Sequence, residues 1–137
     1  MIRAYVARDE ADQNVLGLYY LLNTSVEHAQ LGPAAGAREF VGIDKIPAVY
    51  LGMIGVQIEL MRQGIGTVLM ADALRRTLAI AELTGVWALT LDAIDNEAVA
   101  YYHRYDFIEF SPGSREMYLP LGTIRQVFEA NETEAEP

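Results

Sequence analysis

The sequence predicts one α/β domain: a single mixed, mostly antiparallel sheet with two main helices, in the order β-β-β-α-β-α-β-β. Three observations predict it. Short runs rich in β-branched and aromatic residues are separated by polar or Gly/Pro punctuation. Two stretches change to a spacing of three or four residues. The chain has 137 residues, 52% of them hydrophobic, which suffices for one core but not two.

The elements follow in order. "IRAYVAR" (Ile2–Arg8) and "VLGLYYLLNTS" (Val15–Ser25) read as an antiparallel hairpin around the polar turn "DEADQN". Val26–Lys45, with Gly32, Pro33, Gly36 and Gly42, reads as a long loop with room for one short strand. "IPAVYLGMIGVQ" (Ile46–Gln57) is almost continuously apolar, as expected of a central strand buried on both faces. From Ile65 to about Leu83, Val68, Ala71, Leu74, Leu78 and Ala81 recur at helical spacing, with Asp72, Arg75 and Arg76 on the other side. Asp72 can pair with Arg76 one turn on, and Gly85 stands where a helix stops. "VWALTLDA" (Val86–Ala93) is a second buried strand. Asp95 caps a second helix, "NEAVAYYHRYDF". "FIEF" and "REMYLPL" close antiparallel around "SPGS", and "TIRQVF" adds a short terminal helix. The domain spans 1–128, and "EANETEAEP" (Glu129–Pro137), with four glutamates and no base, reads as a disordered acidic tail.

Composition excludes several chemistries. With no cysteine there is no disulfide framework, cysteine nucleophile or thiolate metal site, and with two histidines no His-rich metal site is expected. A net charge of −9 weighs against a dedicated nucleic-acid binder. No leader pattern and no apolar run of membrane-spanning length is present, so a cytoplasmic location without membrane contact is expected.

"LMRQGIGTVLM" (Leu60–Met70) places Gly64 and Gly66 between a buried strand and a helix. There, free backbone N–H groups and the helix dipole favour an anion, and glycine admits phosphate oxygens close to the backbone. A dinucleotide fingerprint would need glycine where Leu69 stands, and the Gly-Lys-Ser/Thr of a nucleotide P-loop is missing. A pyrophosphate loop for coenzyme A and a tight turn without ligand both remain.

The wider pattern separates them. "LGMIGVQIELMRQGIGTVLMADAL" followed by "DNEAVAYYHRYDFIEF" resembles the GNAT superfamily of N-acetyltransferases, whose signature is Q/R-x-x-G-x-G/A at the pyrophosphate loop and a tyrosine before a "GF"-like ending. The resemblance spans Ile2 to Leu121. "NTSVEHA", "IPAVYLG" and "MYLPLGTI" are similar to the toxin-type branch of bacterial toxin–antitoxin pairs. It implies acetyl-CoA as cofactor, with Ile54, Gly55 and Val56 along the pantetheine arm and Arg62, Gln63, Gly64, Ile65, Gly66 and Thr67 around the pyrophosphate. Asn96 would be a further cofactor contact, one place off the usual spacing; a plain first-turn helix residue is its simpler reading. Tyr102 would be the acid that protonates the thiolate. Taken blindly, Tyr101 and Tyr102 are core or rim residues, His103 is a surface residue, and His28 a plain loop histidine. The implied partners are an amine acceptor, aminoacyl-tRNA among the options, and a ribbon-helix-helix antitoxin.

The chain departs from the family pattern at four places. Met61 replaces the signature's polar residue, with Arg62 beside it as a substitute phosphate partner. Asp106 replaces the "GF" glycine, and Met53 replaces a base usual in the toxin branch. The family's first strand and helices have no counterpart before Ile2, so the first strand is expected to offer a free edge that a second copy covers, as a homodimer. These departures define the alternative reading, a non-catalytic coenzyme A-binding or dimerisation module.

Overall fold

The computed structural model describes residues 3–31, 42–56 and 64–135. Six strands form one sheet in the spatial order β1-β2-β3-β4-β6-β5: β1 (Arg3–Arg8), β2 (Val15–Glu27), β3 (Lys45–Val56), β4 (Ala88–Asp92), β5 (Ile108–Glu109) and β6 (Glu116–Pro120). Every pairing is antiparallel except β3 with β4. Three helices complete the domain: α1 (Ile65–Leu83), α2 (Asn96–His103) and α3 (Leu121–Ala135).

Strand alternation divides the core. Tyr19, Leu21, Val49, Leu51, Leu89, Leu91, Met117 and Leu119 form one face with α1 and α3 against it. Val26, Ile46, Ala48, Ala88 and Tyr118 form a smaller cluster with Trp87. β3 therefore contributes to both clusters, as its continuous apolar run predicts.

Four expectations are corrected. The buried stripe of α1 is Leu69, Met70, Ala73, Leu74 and Thr77, while Val68 is 63% exposed. This helix is apolar on most sides, so spacing alone could not choose its inward face. It stops at Thr84, which is extended, and not at a left-handed Gly85. The loop expected from Val26 is strand through Glu27 and then a 3-10 turn at His28–Gln30; residues 32–41 lie outside the described ones. The terminal helix is longer than "TIRQVF" and runs on to Ala135. Leu121 and Ile124 bury against the main core, and the Glu/Ala-rich continuation is made of good helix formers.

A polar clasp joins β1, β2 and α1. The fully buried Tyr19 donates from its hydroxyl to Asp72 Oδ2 at 2.5 Å, and Arg76 Nε donates to the same oxygen at 2.9 Å. The Arg76 guanidinium lies 3.9 Å from the Tyr5 ring centroid, and Tyr5 stacks on Tyr19 at 5.2 Å. The expected Asp72–Arg76 pair is thus present, but Asp72 is tied to the sheet and is not a free surface charge.

Candidate active site

The strands β3 and β4 are joined at only two rungs, Val49 with Leu89 and Tyr50 with Thr90. At the last of them Thr90 Oγ1 donates to the Val49 carbonyl at 3.3 Å. Beyond it the strands diverge. Leu51–Val56 continues on β2, whereas Leu91 and Asp92 continue on β6. Part of the divergence comes from a bulge in β3. Tyr20 pairs with Gly52 and Leu18 with Gly55, so three steps on β3 face two on β2. Such a bulge bends its strand. The result is a gap whose β3 side carries backbone N–H and C=O groups with no β4 partner among the described residues, at Ile54, Gly55 and Val56.

α1 begins beside this gap. Gly64 is its N-cap at φ 82°, a left-handed conformation natural to glycine. The first intrahelical bond runs from Val68 N–H to Gly64 C=O at 3.1 Å. The amides of Ile65, Gly66 and Thr67 precede it, as the open donors at a helix start do. Gly66 has another reason to be glycine: a Cβ there would stand 3.2 Å from the Tyr101 hydroxyl. Tyr101 in turn lies 3.3 Å from the Tyr105 hydroxyl, and Tyr105 lies 3.3 Å from Thr67 Oγ1. This chain of hydroxyls fastens α2 to the start of α1. Sequence reasoning missed Tyr101 and Tyr105 in this role; the only available signal was their i,i+4 spacing.

Tyr102 is placed by the end of its helix. Phe107 N–H bonds back to Tyr102 C=O at 3.3 Å, and Asp106 N–H to His103 C=O at 3.0 Å, with Asp106 at φ 69°. This is a Schellman stop, and its usual hydrophobic contact is present as Phe107 against the Tyr102 ring at 5.7 Å. The "GF"-like ending therefore orients the tyrosine. Burial pushes the Tyr102 phenol pKa up. Its hydroxyl makes no hydrogen bond to another of the described residues, so it is available to a ligand. An L-residue in the left-handed region costs about 1–2 kcal/mol, less for Asp than for most. Asp106→Gly is therefore expected to raise stability by about 1 kcal/mol in thermal denaturation, and Asp106→Val to lower it.

Residues 21–121 match the model of the acetyltransferase (GNAT) domain. The chain belongs to the GNAT acetyltransferase family. It is 32% identical over 133 residues to the probable toxin TacT of Sinorhizobium fredii, covering 92% of this chain and 73% of that protein. It is 34% identical over 101 residues to a tRNA-acetylating toxin of Mycobacterium tuberculosis, covering 74% of this chain and 58% of the relative. Among solved structures, AtaT complexed with acetyl-methionyl-tRNAfMet is similar at a TM-score of 0.81, with 26% identity over 93% of this chain and 75% of that one. A Tyr-to-Phe mutant of AtaT bound to acetyl-CoA and the C-terminus of the antitoxin AtaR is similar at a TM-score of 0.73, with 25% identity over 93% and 72%.

Within this GNAT domain, Ile54, Gly55 and Val56 lie on β3 beyond its last rung with β4, Gly64, Ile65, Gly66 and Thr67 form the start of α1, and Ile54, Ile65 and Tyr102 pack against the same core. Arg62 and Gln63 lie outside the described residues, as does the Met61 departure. Asn96 is an exposed first-turn residue of α2, whose cap is the expected Asp95, accepting from Ala98 N–H at 2.8 Å. His103 packs at the end of α2, its Nδ1 3.1 Å from the Phe107 carbonyl and its Nε2 3.3 Å from Glu109. His28 sits in the 3-10 turn. Among the described residues no cluster of groups suited to a metal ion is found, and no helix is long and apolar enough to cross a membrane.

Proposed function

We propose that this chain moves the acetyl group of acetyl-CoA to the α-amino group of an aminoacyl-tRNA, as the toxin of a toxin–antitoxin pair. The observation that carries the reading is the opened β3/β4 gap beside the start of α1, in a GNAT domain whose Tyr102 hydroxyl makes no hydrogen bond among the described residues. The named relatives and the AtaT complexes support the acceptor class. The complex of AtaT with an antitoxin C-terminus supports an antitoxin partner; the ribbon-helix-helix type rests on the toxin-branch resemblance alone. The outer edge of β1 has no strand beside it among the described residues, which supports pairing with a second copy.

The residues divide the work. The amides at the start of α1 would hold the pyrophosphate, and the β3 backbone from Ile54 to Val56 would hold the pantetheine amides as a strand edge holds a peptide. An N–H in the same stretch would donate to the oxyanion as the amine adds to the thioester, a contribution of about 3 kcal/mol. Tyr102, kept protonated by burial, would give its proton to the departing thiolate.

The test is calorimetric titration of acetyl-CoA, followed by transfer of labelled acetyl to aminoacyl-tRNA. The expected result is binding of acetyl-CoA at micromolar concentration, no binding of NADH, and labelled acetyl-aminoacyl-tRNA. Absence of acetyl-CoA binding up to millimolar concentration would overturn the reading and favour the non-catalytic module.

A further inference from the structure

Two neighbouring inward positions of β2 meet α1, and they differ sharply in size. Tyr19 is fully buried and reaches Asp72 with its hydroxyl at 2.5 Å. Two residues earlier, on the same face of the strand, stands the buried Gly17. No left-handed φ calls for glycine there. Space is the reason instead. A Cβ on Gly17 would stand 2.7 Å from the Gly55 carbonyl oxygen, 2.9 Å from Leu69 Cδ1 and 3.4 Å from Ile65 Cγ2. The first two distances are shorter than real side chains adopt. Gly55 lies on β3 beyond its last rung with β4, and Ile65 and Leu69 belong to the first turns of α1. The missing side chain is therefore at the point where β2, the free β3 edge and the start of α1 converge.

None of these neighbours yields easily. The contact with Gly55 is with a backbone oxygen, which has no rotamer to change. Leu69 is buried in the main core, where side chains are close-packed. β2 cannot retreat either, because Gly17 is paired with Ala7 of β1 on one side and with Val56 of β3 on the other. Ile65, Leu69 and Asp72 follow one another at helical spacing, so one stripe of α1 runs along β2. Under Asp72 the interval is filled by the Tyr19 ring. Under Ile65 and Leu69 there is no side chain to fill it, and the start of α1 comes down onto the sheet beside β3.

We infer that Gly17 is a positioning residue for acetyl-CoA, setting the distance between the α1 amides that take the pyrophosphate and the β3 edge that takes the pantetheine arm. This role rests on the acetyltransferase reading and adds to it a residue that touches no part of the cofactor. One molecule must satisfy both elements at once, and its own bond lengths fix their separation. A small misplacement at a preorganised site is felt as lost binding. An added methyl must cause one, because 2.7 Å has to open to ordinary van der Waals contact at 3.4 Å or more. The acid is disturbed less. Tyr102 takes its tilt from Phe107 and the stop at Asp106, and neither is among the atoms nearest Gly17.

The experiment compares the full chain carrying Gly17→Ala with Ile124→Val, which trims a fully buried side chain on α3. Both are expected to lower Tm by about 2–8 °C, one by overpacking and the other by leaving a small cavity. Calorimetric titration with acetyl-CoA is expected to show binding at least tenfold weaker in Gly17→Ala and unchanged in Ile124→Val. KM for acetyl-CoA should rise in step in Gly17→Ala, while kcat at saturation falls less than threefold. In two-dimensional NMR without ligand, the amide resonances of Gly55, Val56 and Ile65 to Thr67 should move in Gly17→Ala and stay in Ile124→Val. If Gly17→Ala does not fold, the double variant Gly17→Ala, Leu69→Val gives the methyl room on the helix side. The push then falls on the Gly55 carbonyl, and affinity is expected to be several-fold below that of Leu69→Val.

If the wild type binds acetyl-CoA and Gly17→Ala, or the double variant against Leu69→Val, keeps its affinity within twofold, Gly17 does not set the site, and the acetyltransferase reading survives. An equal loss of affinity in Ile124→Val would show that binding merely follows stability, and would overturn the role as well. If the wild type binds no acetyl-CoA, the acetyltransferase reading fails and the role of Gly17 falls with it.

Discussion

Replacing Tyr102 by phenylalanine is expected to lower kcat for acetyl transfer by about a hundredfold or more, the usual range for loss of a positioned general acid. Acetyl-CoA affinity should change little, because the ring that packs at 5.7 Å on Phe107 is retained and only a hydroxyl is lost. Steady-state kinetics with calorimetry on the same protein checks both halves. Phe107 is pinned by the Schellman stop, whose left-handed residue is Asp106, and it sets the tilt of the Tyr102 ring. A variant with undiminished kcat would remove Tyr102 from the chemistry and leave it as packing. Substituting Tyr105 by phenylalanine tests a different part. It should affect acetyl-CoA affinity more than kcat, since its hydroxyl touches Thr67 at the start of α1.

The largest expected loss of stability comes from Asp72→Ala. It leaves the Tyr19 hydroxyl without its acceptor in a fully buried setting and frees Arg76 from its hold over Tyr5. An unsatisfied buried polar group costs about 1–3 kcal/mol, so a loss of about 2–3 kcal/mol and a fall in Tm of roughly 6–10 °C are expected. The Asp72–Arg76 bridge itself contributes little of this, because its side chains are 33% and 46% exposed and the pair is screened. Arg76→Ala should therefore cost less than Asp72→Ala.

The clasp also predicts a pH dependence. Burial acts to raise the Asp72 pKa, but the hydrogen bonds from Tyr19 and Arg76, with the charges of Arg76 and Arg75, outweigh it and hold the carboxyl below its ordinary 3.8. A lowered folded pKa means that this contribution is present above pH 3.8 and is lost as pH falls through the folded value. Denaturation midpoints of wild type and Asp72→Ala should converge as pH drops below 3.8. A constant difference down to pH 2 would show that the carboxylate charge is not what the clasp uses.

Strand and helix positions were largely legible because each element buries a face, and burial writes a period of two or of three to four into the residues. The continuous run Ile46–Gln57 announced a central strand, and Asp95 announced a cap. The glycines were legible as a pair but not in their separate tasks. Gly64 supplies a left-handed N-cap, while Gly66 makes room for a hydroxyl that arrives from a helix more than thirty residues later. The inward stripe of α1 was not legible, because a helix apolar on most sides has no unique period. Nor was the length of α3, since acidic residues suit a solvated tail and an exposed helix equally well.

By itself the sequence determined the fold class, the likeness to the GNAT family, and the candidacy of Tyr102 and of the loop before α1. These are local or pattern properties: spacing, propensity, and motifs within a few dozen residues. Only the tertiary structure decided where β3 and β4 part. It also decided that Asp92 and Glu116 face each other across two strands, and that Tyr50 reaches Asp92 from forty-two residues away. The physical reason is that strand pairing brings distant residues together through rungs and bulges. A gap in a sheet is a property of which rungs are missing, and no single stretch of chain carries that information.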